Sequence, residues 1–244
     1  MINLVRYTLS DVASLQMRVS LALEGCANLR EAAQKCVSTV YQDHEDSLAL
    51  VRLYATVPFR QLPPADQLFV TNLATSAGTS AALRENTPVL SLLGTRGVAP
   101  DWDDRQKSKG HLGIPLVASS FVEAIPMVSR LMHDMGIGLD WLDTHDTKIV
   151  VKKLGRVAGV FYVRDAATEV DDKGRMIVPA RDFVRAHNVQ TVFGLGGSYL
   201  NGTCVILILF TREFMERAEV EKFMPLVNTI KSATISLVMR DKIF

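Results

Sequence analysis

The fold is decided by VQTVFGLGGSYLNGTCVILILF, residues 189–210, in which a glycine-rich stretch separates two apolar runs. The glycines at 194, 196 and 197 look like a phosphate-binding loop. A dinucleotide fingerprint needs a helix directly after the glycines, because the helix N-terminus binds the pyrophosphate. Here SYLNG and the β-rich CVILILF follow, without the Gly-Lys-Ser or Gly-Lys-Thr ending of a P-loop. The context therefore favours a turn over a nucleotide site.

The turn itself is predicted at Asn201-Gly202, since this dipeptide between two strands is a strong hairpin signal and both residues accept positive φ. The stretch from Thr191 to Phe210 is accordingly predicted to form an antiparallel hairpin. The three preceding glycines then mark either a bulge or a close approach of a neighbouring element.

The rest of the chain alternates helical and strand patterns. A capping signal at Asn28, with Glu31 three residues later, divides the first helical stretch into two. The predicted elements are helix over 9–42, strand over 47–59, helix near 65–84 with a weak point at Gly78, strand over 87–97, helix over 118–135 kinked at Pro126, strand over 148–166, short helix over 179–187, the hairpin, and a long amphipathic helix over 213–240.

The C-terminal third resembles the GAF domain family. The resemblance is carried by FYVRDAATEVDD, then IVPARDFVRAHNVQTVFGLGG, then SYLNGTCVILILF and the helix EVEKFMPLVNTIKSA. In that family a strand ending near an aspartate leads through a loop to a short helix, a hairpin and a long final helix. Asp165, the ARDFVRAH helix, Val189 and the Asn201-Gly202 turn occupy the corresponding positions.

This resemblance implies an α+β fold: a GAF-like (PAS/GAF-type) antiparallel sheet flanked by helices, with long N- and C-terminal helices. Helices are expected on one face and a small-molecule pocket on the other. The expected division is an N-terminal dimerisation helix over 1–27 and a single GAF-like domain over 28–244, with an insertion at about 58–115. Two departures from the family pattern would remodel or close the pocket. One is this insertion, and the other is GLGG, where the family more often has an apolar stretch with a proline.

Composition excludes several function classes. The formal net charge is +1 and no run of lysines or arginines exceeds two, so neither nucleic acid nor an anionic membrane is expected as a partner. The longest apolar run has seven residues and the N-terminus does not read as a signal peptide, so a soluble, cytoplasmic protein is expected. The three cysteines match neither a disulfide framework nor a zinc site.

Two segments supply candidate ligand-binding residues. The polar loop DWDDRQKSKGH, 101–111, contains Trp102, Arg105 and His111, which a lid over a ligand would use; the alternative is a solvated loop with local ion pairs. No metal is expected there, because a calcium loop needs a longer oxygen-ligand pattern.

The second segment is YVRDA together with ARDFVRAH. In a GAF-like arrangement these place several basic groups near one region, where they would clamp an anionic ligand. The alternative is that Arg181 faces solvent on a short helix. The residues assigned to this site are Tyr162, Arg164, Asp165, Arg181 and His187, with Arg185 beside them.

Enzymatic activity is not expected, because no nucleophile and base are assembled by any motif. Cys36 and Cys204 fall in apolar segments and are predicted to be inert core thiols, although a cysteine-dependent activity stays open as a third hypothesis. The cysteine–histidine pair by which the family's tetrapyrrole-binding members attach their pigment is absent, and no motif for a cyclic nucleotide is found. The cofactor is therefore unknown.

The family resemblance implies a sensory and regulatory domain in signal transduction. It would bind a small molecule, form a homodimer and signal through its terminal helices to a protein partner. The alternative is a protein-interaction and dimerisation module with a degenerate pocket and no ligand.

Overall fold

The computed structural model describes residues 3–108, 112–139, 142–143, 154 and 158–244. Its centre is a six-stranded sheet in which every pair of neighbours is antiparallel, in the order β3-β2-β1-β6-β5-β4. The strands are β1 (Leu48–Pro58), β2 (Pro88–Gly97), β3 (Gly113–Pro115), β4 (Ala158–Val163), β5 (Val192–Ser198) and β6 (Cys204–Thr211). The antiparallel sheet flanked by helices, expected from the sequence, is confirmed.

The helices lie on both sides of this sheet. In chain order they are α1 (Leu9–Leu23), α2 (Leu29–Gln42), α3 (Pro64–Ser76), α4 (Ser119–Glu123), α5 (Pro126–Asp134), α6 (Arg181–Ala186), α7 (Arg217–Glu221) and α8 (Met224–Met239). α2 and α8 pack directly on the sheet, and α1 packs on both of them. α5 and α6 belong to the opposite face, where the apolar cluster of Leu50, Tyr54, Ile208 and Phe210 lies.

Three predicted helices differ from the sequence pattern, one in its end, one in its start and two in their continuity. The helix expected to reach residue 84 ends at Ser76, because Gly78 turns the chain with φ +70°. Pro126 starts a new helix instead of kinking one, since it suits the first turn of α5. The long helix expected from 213 begins only at Arg217 and is interrupted before Met224. Of the strand expected over 148–166, Ala158–Val163 is strand and most of the part before Ala158 lies outside the described residues.

The hairpin forms as predicted, with Ser198 opposite Cys204 at its end. Within the turn the Tyr199 N–H donates to the Thr203 carbonyl over 2.8 Å, and Gly202 has φ +86°. β5 pairs in unbroken register on both sides, so the glycines mark no bulge. Close packing is the reason for them: a Cβ on Gly197 would lie 3.0 Å from Cδ of Lys231 on α8.

The terminal helices contact each other within the chain. The Gln16 side-chain amide on α1 donates to the Thr229 hydroxyl on α8 over 2.8 Å, and to the Pro225 carbonyl over 3.2 Å. The buried face of α1, which includes Val12, Leu15 and Val19, joins the same core as α2 and α8. Part of the apolar surface expected to support a dimer is therefore used inside the protomer, and dimerisation stays a prediction.

His44 is a buried histidine whose ring is neutral and makes two hydrogen bonds. Its Nδ1 contacts the Val40 carbonyl over 2.7 Å, and Nε2 contacts the Tyr7 hydroxyl. Since a carbonyl only accepts, Nδ1 carries the proton and Nε2 accepts from Tyr7. Burial lowers the pKa of His44 below its ordinary 6.5, against smaller opposing contributions from the Val40 carbonyl and Asp43.

We expect the free energy of unfolding to fall as the pH drops below 6.5, because the unfolded chain then binds a proton that the native His44 does not. His44 changes the free energy of unfolding by at most about 1.4 kcal/mol per pH unit. Urea midpoints at about pH 7.5 and about pH 5.5 would measure it. His44→Gln should flatten the profile, and a wild-type slope in this variant would contradict the assignment.

Candidate functional site

A cavity of about 400 Å³ lies on the sheet face opposite α2 and α8. Alternate residues of β1 and β6 form its floor, since side chains two apart on a strand share a face. The loop after β2 and the segment that leads into α6 enclose it. Its described lining comprises Leu50, Arg52, Tyr54, Asp101, Trp102, Lys107, Ser108, Met127, Val178, Pro179, Ala180, Phe183, Ile208 and Phe210.

Trp102 is one of the aromatic side chains in the cavity wall. Its ring lies so close to the backbone of β2 that a Cβ on Gly97 would come within 2.7 Å of Cε3. The indole meets the ring of Phe183 edge-on at 5.3 Å and that of His187 at 4.9 Å, and Phe183 in turn meets Phe210 at 5.5 Å. The structure thus places Trp102 beside the cavity, and its contact with a ligand stays a prediction.

Arg52 is the charged residue on the cavity floor. One terminal nitrogen of its guanidinium donates to the Ser108 hydroxyl over 3.0 Å, and the other lies 3.4 Å from the Tyr54 hydroxyl. Its Nε is buried and has no hydrogen-bond partner. No carboxylate in the described part of the chain forms an ion pair with this guanidinium. By contrast, Lys107 at the cavity pairs with Asp101 over 2.9 Å.

Arg105, predicted to contact a ligand, lies outside the cavity lining. Its guanidinium is buried against the Asp66 carboxylate of α3, and Nε donates to the Leu92 carbonyl over 2.6 Å. The Phe244 ring lies 5.6 Å below the guanidinium carbon. All of these contacts fix the loop to the body of the protein, which gives Arg105 a structural position.

Three residues of the second predicted group lie at the other end of the sheet. The Tyr162 hydroxyl donates to the Met215 carbonyl over 2.8 Å within the core beneath the helices. Arg164, just beyond β4, forms an exposed ion pair of 2.6 Å with Glu216. Asp165 stabilises the following turn by accepting from the Ala167 N–H.

The predicted cluster of basic residues does not line one common cavity. Arg181 and Arg185 lie on exposed turns of α6 beside a separate cleft of about 80 Å³. His187 touches Trp102 but does not itself line the larger cavity. His111, also predicted, lies outside the described residues.

The sequence analysis missed Arg52, Tyr54, Ser108, Phe183 and Phe210 as cavity residues. A signal for one of them is present: Arg52 is a lone charge in the apolar run LALVRLYATV, 48–57. A charge in a strand that is otherwise buried needs a partner or a function. That test singles out Arg52 from the sequence, although it does not show the cavity beside it.

The cysteines and candidate metal ligands offer no reactive centre where the structure describes them. Burial raises the pKa of the Cys36 thiol and of the Cys204 thiol to about 12, so both stay protonated at neutral pH. Among the described residues, histidine, cysteine and carboxylate side chains form no group able to hold a metal. None of the helices described has the length and apolar character needed to cross a bilayer.

Comparison with known proteins gives structural neighbours only, since no protein-family model and no curated protein matches the sequence. The phycocyanobilin-bound GAF domain from a cyanobacterial phytochrome is 12% identical, with a TM-score of 0.49, over 94% of this chain and 96% of that one. The GAF domain from an Acinetobacter phosphoenolpyruvate-protein phosphotransferase is 9% identical, with a TM-score of 0.45, over 92% of both chains.

A third neighbour is an N-acylhomoserine lactone dependent LuxR-family transcription factor from Burkholderia cenocepacia. It is 10% identical, with a TM-score of 0.41, over 95% of this chain and 96% of that one. GAF domains are thus among the solved structures that this chain resembles. The likeness is one of fold.

Proposed function

We propose that this chain is a sensory domain that binds a small molecule in the 400 Å³ cavity and passes the signal to its terminal helices. The observation that carries the proposal is the cavity itself. Apolar and aromatic side chains with a few placed polar groups, here Arg52, Tyr54 and Ser108, are the usual lining of small-molecule sites. An enzymatic role has no support from the buried thiols.

A chain of contacts joins the cavity wall to the helices across the sheet. Asp103, next to Trp102, forms an ion pair with Arg96 on β2, and the Arg96 guanidinium lies 5.7 Å from the Tyr41 ring centre on α2. Two turns earlier on α2, the Gln34 side chain both donates to and accepts from the Thr95 backbone, over 2.9 and 3.2 Å. A ligand that binds one position of Trp102 more tightly would thereby favour one position of α2.

The signalling partner is proposed to bind at the outer face of α1. Leu9, Met17 and Leu21 are exposed there by 72%, 62% and 60% and are spaced by multiples of four residues, so they share one face of the helix. A second copy of the chain is the partner we favour, as in a two-fold pair of terminal helices. The same three exposed apolar residues support the second candidate function, an interaction module that holds no ligand.

Native mass spectrometry of the purified protein, repeated after denaturation, separates the two candidates. We expect a small non-covalent mass that is lost on denaturation, either as purified or after incubation with a protein-free small-molecule extract of the host cells. Val178→Phe should abolish it by filling the cavity, whereas Val170→Phe, at an exposed position, should retain it. A dimer that never carries extra mass would favour the interaction module, and a monomer would contradict dimerisation.

A further inference from the structure

The cavity holds one positive charge that the described residues leave unbalanced. Three charged side chains of the described residues line it, and two of them, Lys107 and Asp101, neutralise each other. Arg52 remains, with hydroxyl groups but no carboxylate beside it. Building on the proposed ligand-binding function, we propose that the ligand is a compact monocarboxylic acid. Its carboxylate binds Arg52 and its apolar body lies against Trp102, Phe183 and Phe210.

The hydrogen-bonding capacity of Arg52 supports an anion. A guanidinium presents five N–H donors in a planar fork, and the hydroxyl groups beside Arg52 engage one donor on each terminal nitrogen. The other N–H group of each terminal nitrogen is left for an acceptor bound in the cavity that Arg52 lines. A carboxylate has two oxygens that match two guanidinium donors side by side and also supplies the missing negative charge. A neutral carbonyl would satisfy a donor but leave the charge unbalanced.

Arg52 differs from the other residues that have a buried polar atom without a partner, because it lines the cavity. The other buried side-chain atoms without partners in the described chain are Ser91 Oγ, Thr95 Oγ1 and Arg96 Nε, and none of their residues lines the cavity. Arg96 already has its countercharge in Asp103. Arg52 alone among these four combines an unmet donor with an unmet charge.

The size and lining of the cavity define the remainder of the ligand. About 400 Å³ lies near the lower end of the range of about 300–1,000 Å³ typical of ligand sites, which selects a compact molecule. The single unbalanced positive charge of Arg52 is neutralised by one singly charged group, such as a carboxylate. A phosphate would bring more negative charge than Arg52 balances. Rings of Trp102, Phe183 and Phe210 offer faces and edges to an aromatic or aliphatic body.

The test compares acids with their amides. Indole-3-acetate, 3-phenylpropanoate and octanoate would each be titrated beside the corresponding amide. Binding would be followed by calorimetry and by Trp102 fluorescence in a Trp141→Phe background. At least one acid is expected to bind at least about 10-fold more tightly than its amide. Arg52→Gln should weaken that acid about 10- to 100-fold and leave its amide unchanged, because it removes a charge-assisted hydrogen bond. Arg164→Gln, which removes an exposed arginine paired with Glu216, should alter neither.

The outcomes separate this inference from the proposed function. If acids and amides bind alike, if no acid binds, or if Arg52→Gln leaves acid binding intact, the carboxylate assignment is overturned. The proposed function would then still be supported if native mass spectrometry finds a small non-covalent mass on the wild type that is absent from Val178→Phe. Should Arg52→Gln fail to fold, Arg52→Lys serves instead: it keeps the charge but not the fork, so the preference for the acid should persist with about 10-fold weaker binding.

Discussion

Asp66→Ala is expected to lower the free energy of unfolding by about 3–5 kcal/mol, the usual cost of leaving one member of a buried ion pair without its partner. The Asp66 side chain is 1% exposed and that of Arg105 is 7% exposed. Without Asp66, the polar and aromatic contacts that remain to the Arg105 guanidinium among the described residues are the Leu92 carbonyl and the Phe244 ring. Urea denaturation followed by circular dichroism would measure the loss.

Two controls test the reason for this loss. The double variant Asp66→Leu with Arg105→Met removes both charges and should recover most of the stability, because apolar residues of similar volume replace a buried pair at little cost. Asp101→Ala breaks the exposed pair with Lys107 and should change stability little. A single variant Asp66→Ala as stable as the wild type would mean that Arg105 reaches solvent or another partner.

The Asp66–Arg105 pair also explains why one predicted ligand residue lies elsewhere. Arg105 was predicted as a ligand contact because it lies in the polar loop 101–111, which a lid over a ligand would use. Its partner, Asp66, precedes it by 39 residues on a different element. Local patterns carry no information about such a pair.

Local signals predicted the parts of the fold that depend on neighbouring residues. The Asn28 side chain caps α2 by accepting from the Glu31 N–H, although Glu31 itself accepts from Ala27 and not from the cap residue. The hairpin at 192–211 follows equally from its turn and its two apolar runs. Helix ends were less predictable, because apolar spacing continues past Ser76 where the chain has already turned.

The cavity floor was hidden by burial on both faces of the sheet. Along β1 nearly every residue is buried, so the apolar–polar alternation that separates two faces of a strand is absent. The strand period places Arg52 on the same face as Tyr54, but burial on both faces gives no sign of which face lines a cavity. Only the structure shows that this face meets the 98–108 loop.

Gly94→Ala is expected to cost about 3 kcal/mol, at the upper end for overpacking, because the new methyl group would meet backbone. A Cβ at Gly94 would lie 2.5 Å from the Ala33 carbonyl oxygen and 2.9 Å from the Gln34 nitrogen, both on α2. The Gln34 side chain also binds the Thr95 backbone, so α2 is held where the methyl group would have to go. Urea denaturation would measure the change.

Gly196→Ala is the matched control, since its Cβ would meet only the side chain of Met135. A methionine side chain rotates about three bonds and moves at little cost, so a loss nearer 1 kcal/mol is expected. Equal losses in the two variants would mean that α2 shifts as easily as one side chain. That result would weaken the proposed route from Trp102 through Arg96 to Tyr41, because a helix that yields so readily at Gly94 would not transmit a displacement of the cavity wall.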